Sequence, residues 1–333
     1  MTPPLVHLGL DVAKATLAGP RAGAGFTLEH NPAGHAALRA RIAAHGSPVQ
    51  VVCESQRSEI ARGRSLCPKG SAGGRWQPTG GYERPVVAAR RAAARPVSVL
   101  HPTRARQRAR GLGSVAKNDS LDAGALARIG ALIEPAPTPA PPEGVPVLAA
   151  LVARRDPLAE LLRREKQHRE TTTEKVLLRD LAQSLAALQK RLEKIGALIE
   201  KHLQSQPALA AKAARLQEAP GVGWVGAVTL LAFLPELGQG SAARLCSLAG
   251  LAPRDHDSGA FRGPRHIHGG RPKVRRILYL CALSAARPHP ALETFHTRLR
   301  TAGKAPKVAL LATARKLLTH LHAALKNPNF SLA

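Results

Sequence analysis

The chain has 333 residues, enough for two or three domains with cores of their own. Lys and Arg number 49 against 22 Asp and Glu, a formal net charge of +27 that repels itself and attracts a polyanion, nucleic acid first of all. Cys53, Cys67, Cys246 and Cys281 lack CxxC spacing, which excludes a disulfide framework and a zinc ribbon. The longest apolar stretch, Val225 to Leu234, is about half of the ~20 residues a membrane span needs. The opening MTPPLVHLGLD has neither the basic nor the long apolar region of a signal peptide. A reduced, cytoplasmic, nucleic-acid-handling protein with no membrane partner is expected.

The first third alternates strand and helix signals. Val6 to Val12 reads as a buried strand ending at Asp11, and Phe26 to Glu29 as part of a neighbour. Asn31-Pro32 supplies an N-cap and a first-turn proline for a helix to about Ala44. Val49 to Cys53 is a β-branched strand ending at Glu54. A helix over Glu83 to Ala94, a strand over Val97 to Leu100, and helices near Pro102 to Arg110 and Leu121 to Leu132 complete an α/β pattern. PAPTPAPPE, Pro135 to Glu143, reads as a stiff linker.

From about Asp156 to Gln204 the chain reads as charged helix. Leu178, Leu181, Leu185, Leu188, Leu192, Ile195 and Ile199 alternate spacings of three and four, an a/d seam three heptads long. Such a seam packs either on its own domain or in a coiled coil within or between chains. The last domain, from about Leu216, reads as helical with one long irregular loop. Pro220-Gly221-Val222-Gly223 before an apolar helix is similar to the hairpin of helix-hairpin-helix DNA binders, where backbone N–H groups of Gly221 and Gly223 would meet phosphate. The loop from Ala252 to Arg276 holds Arg254, Arg262, Arg265, Arg271, Lys273, Arg275 and Arg276, with His256, His266 and His268, against two Asp. With glycines among the cations, phosphate binding is expected there.

Acidic residues are scarce, so their positions inform. Asp11 ends an apolar strand, where an ionised carboxylate is costly unless satisfied. Asp119 and Asp122, three apart at a helix start, share a face. Converging carboxylates repel by about 4 kcal/mol per pair at 4 Å and an effective dielectric of 20, and a divalent cation removes that penalty. Oxygen ligands suit Mg²⁺ or Mn²⁺ and orientation of a phosphodiester for in-line displacement. Asp and Glu at strand ends with DxxD on a helix make the layout of RNase H-like nucleases.

The chain resembles the DEDD transposases of the insertion-sequence group called IS-one-ten, which includes Piv-type DNA invertases. The resemblance rests on GLDVAKATL, ES with the later TGGYERP, VSVLHPTRARQRARGLGSVAKNDSLDAGALAR and PGVGWVGAVTLLAFLPEL, continuing through LAGLAPRDHDSGAFRG, GGRPKVRRILYLCALSA and GKAPKVALLATARKLL. It implies an α/β plus all-α chain: a RuvC-like RNase H domain (1–134), a linker (135–145), coiled-coil helices (146–212) and a C-terminal helical transposase domain (213–333). It further implies that Asp11, Glu54, Asp119 and Asp122 hold Mg²⁺ or Mn²⁺. Ser258 would be the nucleophile, activated with their help, that forms a phosphoserine link to DNA. Donor and target DNA, a structured bridge RNA, and a second copy as dimer or tetramer are the implied partners. Without the serine chemistry, a RuvC-type hydrolytic resolvase or an inactive nucleic-acid-binding copy stays open.

One departure from the family pattern stands out. Residues 56–78 separate Glu54 from TGGYERP, a 23-residue insertion rich in Gly, Arg and Ser that reads as an irregular loop. It also brings Glu59 forward as a possible substitute for Glu54.

Overall fold

A computed structural model describes residues 5–20, 25–45, 47–54, 83–93, 95–100, 102–113, 119–255, 257–258, 261–263 and 265–332, with backbone alone at 84, 102–104, 119–122 and 261. The insertion at 56–78, with Glu59, lies outside the described residues, as does His256. Two compact units meet between Ala140 and Pro141.

In the first unit β1 (Val6–Val12), β2 (Thr16–Ala18) and β3 (Thr27–Glu29) are followed by α1 (Pro32–Ala43). Asn31 caps α1 as its sequence position predicts, its side-chain oxygen accepting the Gly34 N–H at 2.8 Å. Then come β4 (Val49–Glu54), α2 (Glu83–Ala92), β5 (Val97–Leu100), α3 (Pro102–Gly111) and α4 (Asp119–Ile133). The strands form one sheet in the order β3-β2-β1-β4-β5. β1, β4 and β5 are parallel, while β2 pairs antiparallel to both neighbours. Sequence reasoning missed β2. Three residues are too few for an alternation signal, and the strand is fixed by pairing Ala18 with Asp11 and Leu17 with Val12.

Alternation along the strands separates the sheet's faces. Leu10, Val12, Val51, Cys53 and Val97 pack with Leu38 and Ile42 of α1 and Val86 and Val87 of α2. On the other face Val52 packs with Ala105 of α3 and Leu126 of α4. The first part of the proline segment is docked rather than free. Thr138 covers the β5 edge, its N–H donating to the Val97 carbonyl at 2.9 Å and its hydroxyl accepting the Val99 N–H at 2.9 Å.

The second unit opens with α5 (Val145–Thr171) and α6 (Lys175–Gln204), which pack on each other more extensively than any other pair of elements. The helical region thus starts well before Asp156 and carries Pro157 inside α5. Its break falls at Thr172–Glu174, where the Thr171 and Thr172 hydroxyls both donate to the His168 carbonyl and close the last turn. Leu185 and Ile199 of the a/d seam are buried, and the other five seam residues are half-buried.

α7 (Pro207–Gln217), the Pro220–Gly223 turn and α8 (Trp224–Phe233) follow, with α8 buried from Gly226 to Ala232. No described helix is long and apolar enough to cross a membrane. α9 (Ala242–Ala249) ends on Gly250 at φ +71°, with the Leu251 N–H reaching back to the Cys246 carbonyl at 2.8 Å. The segment expected to be an irregular loop is instead a β-ribbon. β6 (Pro253–Arg254) pairs with β9 (His266–Ile267), and β7 (Asp257–Ser258) with β8 (Phe261–Arg262). α10 (Pro272–Ala285), α11 (Pro290–Thr301) and α12 (Pro306–Lys326) complete one large core with α5 to α9.

This core contains histidines held neutral. His289 is 1% exposed, and among the described residues neither ring nitrogen has a hydrogen-bond partner. Burial pushes its pKa below 6.5, as it does for His320, 5.6 Å away between ring centres, and for His322. A depressed folded pKa means the unfolded chain binds the extra protons, so stability is complete above the unfolded value and falls as pH drops below about 6.5. Calorimetry should find a lower Tm for this unit at pH 5 than at pH 7.5, and His289→Leu should flatten the difference.

Candidate functional site

The parallel strands deliver two carboxylates to one edge. β1 and β4 are in register through Leu10 and Cys53, so Asp11 and Glu54 stand one residue further on, at the carboxyl ends of adjacent strands. Adjacent strands lie about 4.8 Å apart. The chain leaves β1 towards β2 and β3 and returns on the opposite side as β4, which makes the β1/β4 gap a topological switch point. In open α/β sheets that is where ligands bind.

α4 brings the other two aspartates to the same end. A Cβ added to Gly9 would overlap the Ala123 carbonyl oxygen and lie 2.5 Å from the Ala127 nitrogen. One added to Gly130 would come within 2.8 Å of the His7 Cβ and 2.9 Å of Val52 Cγ2. The two glycines let helix and strand backbones touch, and they fix the direction of α4: as β1 rises from His7 to Gly9, α4 descends from Gly130 to Ala123. Four strand residues rise about 13 Å, the length of about nine helical residues, so Asp11 is level with the first turn of α4, where Asp119 and Asp122 lie. Among the described side chains no group of three or more His, Cys, Asp or Glu is assembled. The side chains of Asp119 and Asp122 lie outside the described residues, so the edge is defined by two side chains and one helical turn. Carboxylate oxygens as the donor set, with no Cys or His among the four, fit Mg²⁺ or Mn²⁺ rather than a softer metal. Gly9 and Gly130 were not singled out from sequence, although a glycine inside a strand signals close backbone approach.

Ser258 is exposed on β7, paired with Phe261 beside the Asp257–Arg262 pair. The seven cations expected to bind phosphate divide in two. Arg271 is fixed by two 2.6 Å bonds to Glu236 and a third to the Phe233 carbonyl. Burial would raise the Glu236 pKa, but the Arg271 guanidinium overrides it and holds the carboxyl below its ordinary value. Lys273 bonds Asp156 at 2.7 Å and lies 3.6 Å from the centre of the Phe233 ring, with burial lowering its pKa. Arg275 donates to the Gly269 carbonyl at 2.7 Å, tying the foot of the ribbon to α10. These three have partners within the fold, whereas the other four cations lie on the surface.

Arg254, Arg262, Arg265 and Arg276 remain exposed. Arg262 and Arg265 make surface pairs with Asp257 and Asp255 at 2.9 and 2.5 Å. Such exposed pairs contribute about 0–1 kcal/mol. Gly221 sits at φ +86°, and a Cβ added there would come within 2.4 Å of the Ala285 nitrogen, so packing also requires the glycine. Gly223, the N-cap of α8, is exposed, and a Cβ there would meet nothing within 4 Å.

Residues 75–202 match the DEDD transposase family model of the IS110 group, and residues 213–297 match the transposase model of the IS116/IS110/IS902 family. An uncharacterized 43.6 kDa protein of insertion element IS110 from Streptomyces coelicolor is 33% identical over 165 residues, covering 48% of this chain and 39% of that protein. The pilin gene-inverting protein of Moraxella bovis is 29% identical over 243 residues, 69% of this chain and 72% of that one. An uncharacterized 42 kDa protein of insertion element IS900 from Mycobacterium paratuberculosis is 35% identical over 152 residues, 44% of this chain and 37% of that one. The alignments therefore span about two fifths of the insertion-element relatives. With two family models matched in order along the chain, this protein belongs to the IS116/IS110/IS902 family of transposases.

Proposed function

We propose that this protein is a DNA recombinase of a mobile insertion sequence, cleaving and rejoining strands through a serine-linked intermediate. The observation that carries the reading is the convergence of Asp11, Glu54 and the first turn of α4 on one edge of the sheet, within a chain of the transposase family. An RNase H-like first unit is supported by the five-stranded sheet in which β2 alone runs against the others. Asp11, Glu54, Asp119 and Asp122 would hold Mg²⁺ or Mn²⁺, which supplies charge neutralisation for a phosphoryl group under attack.

Ser258 is the proposed nucleophile. Its hydroxyl loses a proton as its oxygen bonds to phosphorus, and the displaced DNA oxygen leaves with a proton. Attack of that oxygen or another strand end on the phosphoserine then restores the serine. Arg254, Arg262, Arg265 and Arg276 offset the charge developing on the phosphate. The excess of cations suits two nucleic acids, donor and target DNA with a structured guide RNA. The half-buried seam of α6, together with exposed Leu177 (53%) and Leu198 (42%), supports self-association as a dimer or tetramer.

The test is strand cleavage on DNA carrying the ends of the element, with RNA transcribed from its flank. Mg²⁺ should support cleavage, and chelation or Asp11→Asn should reduce it at least about 100-fold, the scale on which a catalytic electrostatic group acts. Cleavage indifferent to chelation would overturn the reading.

A further inference from the structure

We infer that α3 is a phosphate-binding rail for the DNA strand approaching the carboxylate edge, with Arg106, Arg108 and Arg110 as its contacts. α3 has the sequence PTRARQRARG: four arginines and no acidic residue in ten positions. It is seated through Ala105, 3% exposed, and half-buried Ala109, while Arg106, Arg108 and Arg110 are exposed. None of the three makes an ion pair or side-chain hydrogen bond among the described residues, unlike Arg262, Arg265, Arg271 and Lys273 of the ribbon and its foot.

Within the helix this arrangement is unfavourable. Arg106 and Arg110 are four apart, a spacing at which like charges destabilise by about 0.2–0.5 kcal/mol. Arg108 and Arg110 complement the dipole at the helix C-terminus, but Arg106 lies in mid-helix and gains nothing there. A polyanion alongside turns the repulsion into attraction.

The position of α3 points to the polyanion. Leu100, the last residue of β5, is the register partner of Glu54, and α3 begins two residues later at Pro102. At 1.5 Å per residue, Arg106 and Arg110 stand about 6 and 12 Å along the helix from that edge, a span comparable to successive phosphates of one strand. A strand whose scissile phosphate lies at the carboxylates would find cations at this interval on leaving them. The inference rests on the proposed DNA chemistry for the identity of the ligand. It is read by binding, so the two can fail separately.

The experiment compares the full chain with R106Q/R108Q/R110Q and with R106K/R108K/R110K, by anisotropy on a labelled DNA duplex over a series of KCl concentrations. The glutamine variant should bind at least about tenfold more weakly. Its slope of log K against log[salt] should be shallower by about 2–3, close to 0.9 per lost phosphate contact. The lysine variant keeps the charges and should keep the slope, and melting curves report whether each variant folds. If the glutamine variant does not fold, the single substitutions should each flatten the slope by about 0.9. Unchanged affinity and slope would overturn the inference, as would a loss confined to structured RNA. A chain that binds DNA through α3 but never cleaves it would overturn the proposed function and leave this inference standing.

Discussion

Gly9→Val should unseat α4 and remove the carboxylate edge with it. The hydrogen at this position lies against the backbone of Ala123 and Ala127, and backbone cannot rotate aside as a side chain can. Overpacking of this kind costs about 1–3 kcal/mol and more where no side chain can yield, so a loss of at least about 3 kcal/mol is expected. In a unit of this size that corresponds to a fall in Tm of about 10 °C. The functional loss should exceed the loss of stability, because α4 carries Asp119 and Asp122 at the level of Asp11. Gly124→Ala is the control: it lies in the same helix, and a Cβ there meets nothing within 4 Å. Melting followed by circular dichroism, with cleavage measured below the transition, separates the two effects.

Ser258→Ala should eliminate covalent protein–DNA product while leaving binding within about twofold. The side chain is exposed on a two-residue strand and belongs to no core cluster among the described residues, so its removal should sit among the surface substitutions worth within about ±0.5 kcal/mol. A structural defect is therefore not an explanation for lost chemistry. If strand cleavage continued in Ser258→Ala without adduct, water would be the nucleophile and the chain a hydrolytic nuclease.

The parts of the fold set by local pattern were legible in the sequence. The β-branched run Val49 to Cys53 marked a strand and put Glu54 at its end, and Asn31-Pro32 marked the start of α1. The parts set by pairing between distant residues were not. Arg271 reads as a loop cation because its partner Glu236 lies 35 positions away, and nothing local announces a bidentate pair. The ribbon strands are two residues each, too short to carry a period, and they exist through pairings such as Arg254 with His266. Gly9 sits in an apolar strand whose pattern it does not disturb, so its contact with α4 appears only once the helix is in place. The arginines of α3 read as an ordinary charged helix until Ala105 shows which side faces the core.

We propose that this transposase-family chain joins itself to DNA through Ser258, in a step that also requires Asp11. The most direct measurement is mass spectrometry of proteolysed protein after incubation with Mg²⁺, the flanking RNA and DNA bearing the element's ends. A nucleotide-bearing peptide with its added mass on Ser258, absent with chelator and absent in Asp11→Asn, is the predicted result. Cleaved DNA without any such peptide, or an adduct on another residue, would contradict it.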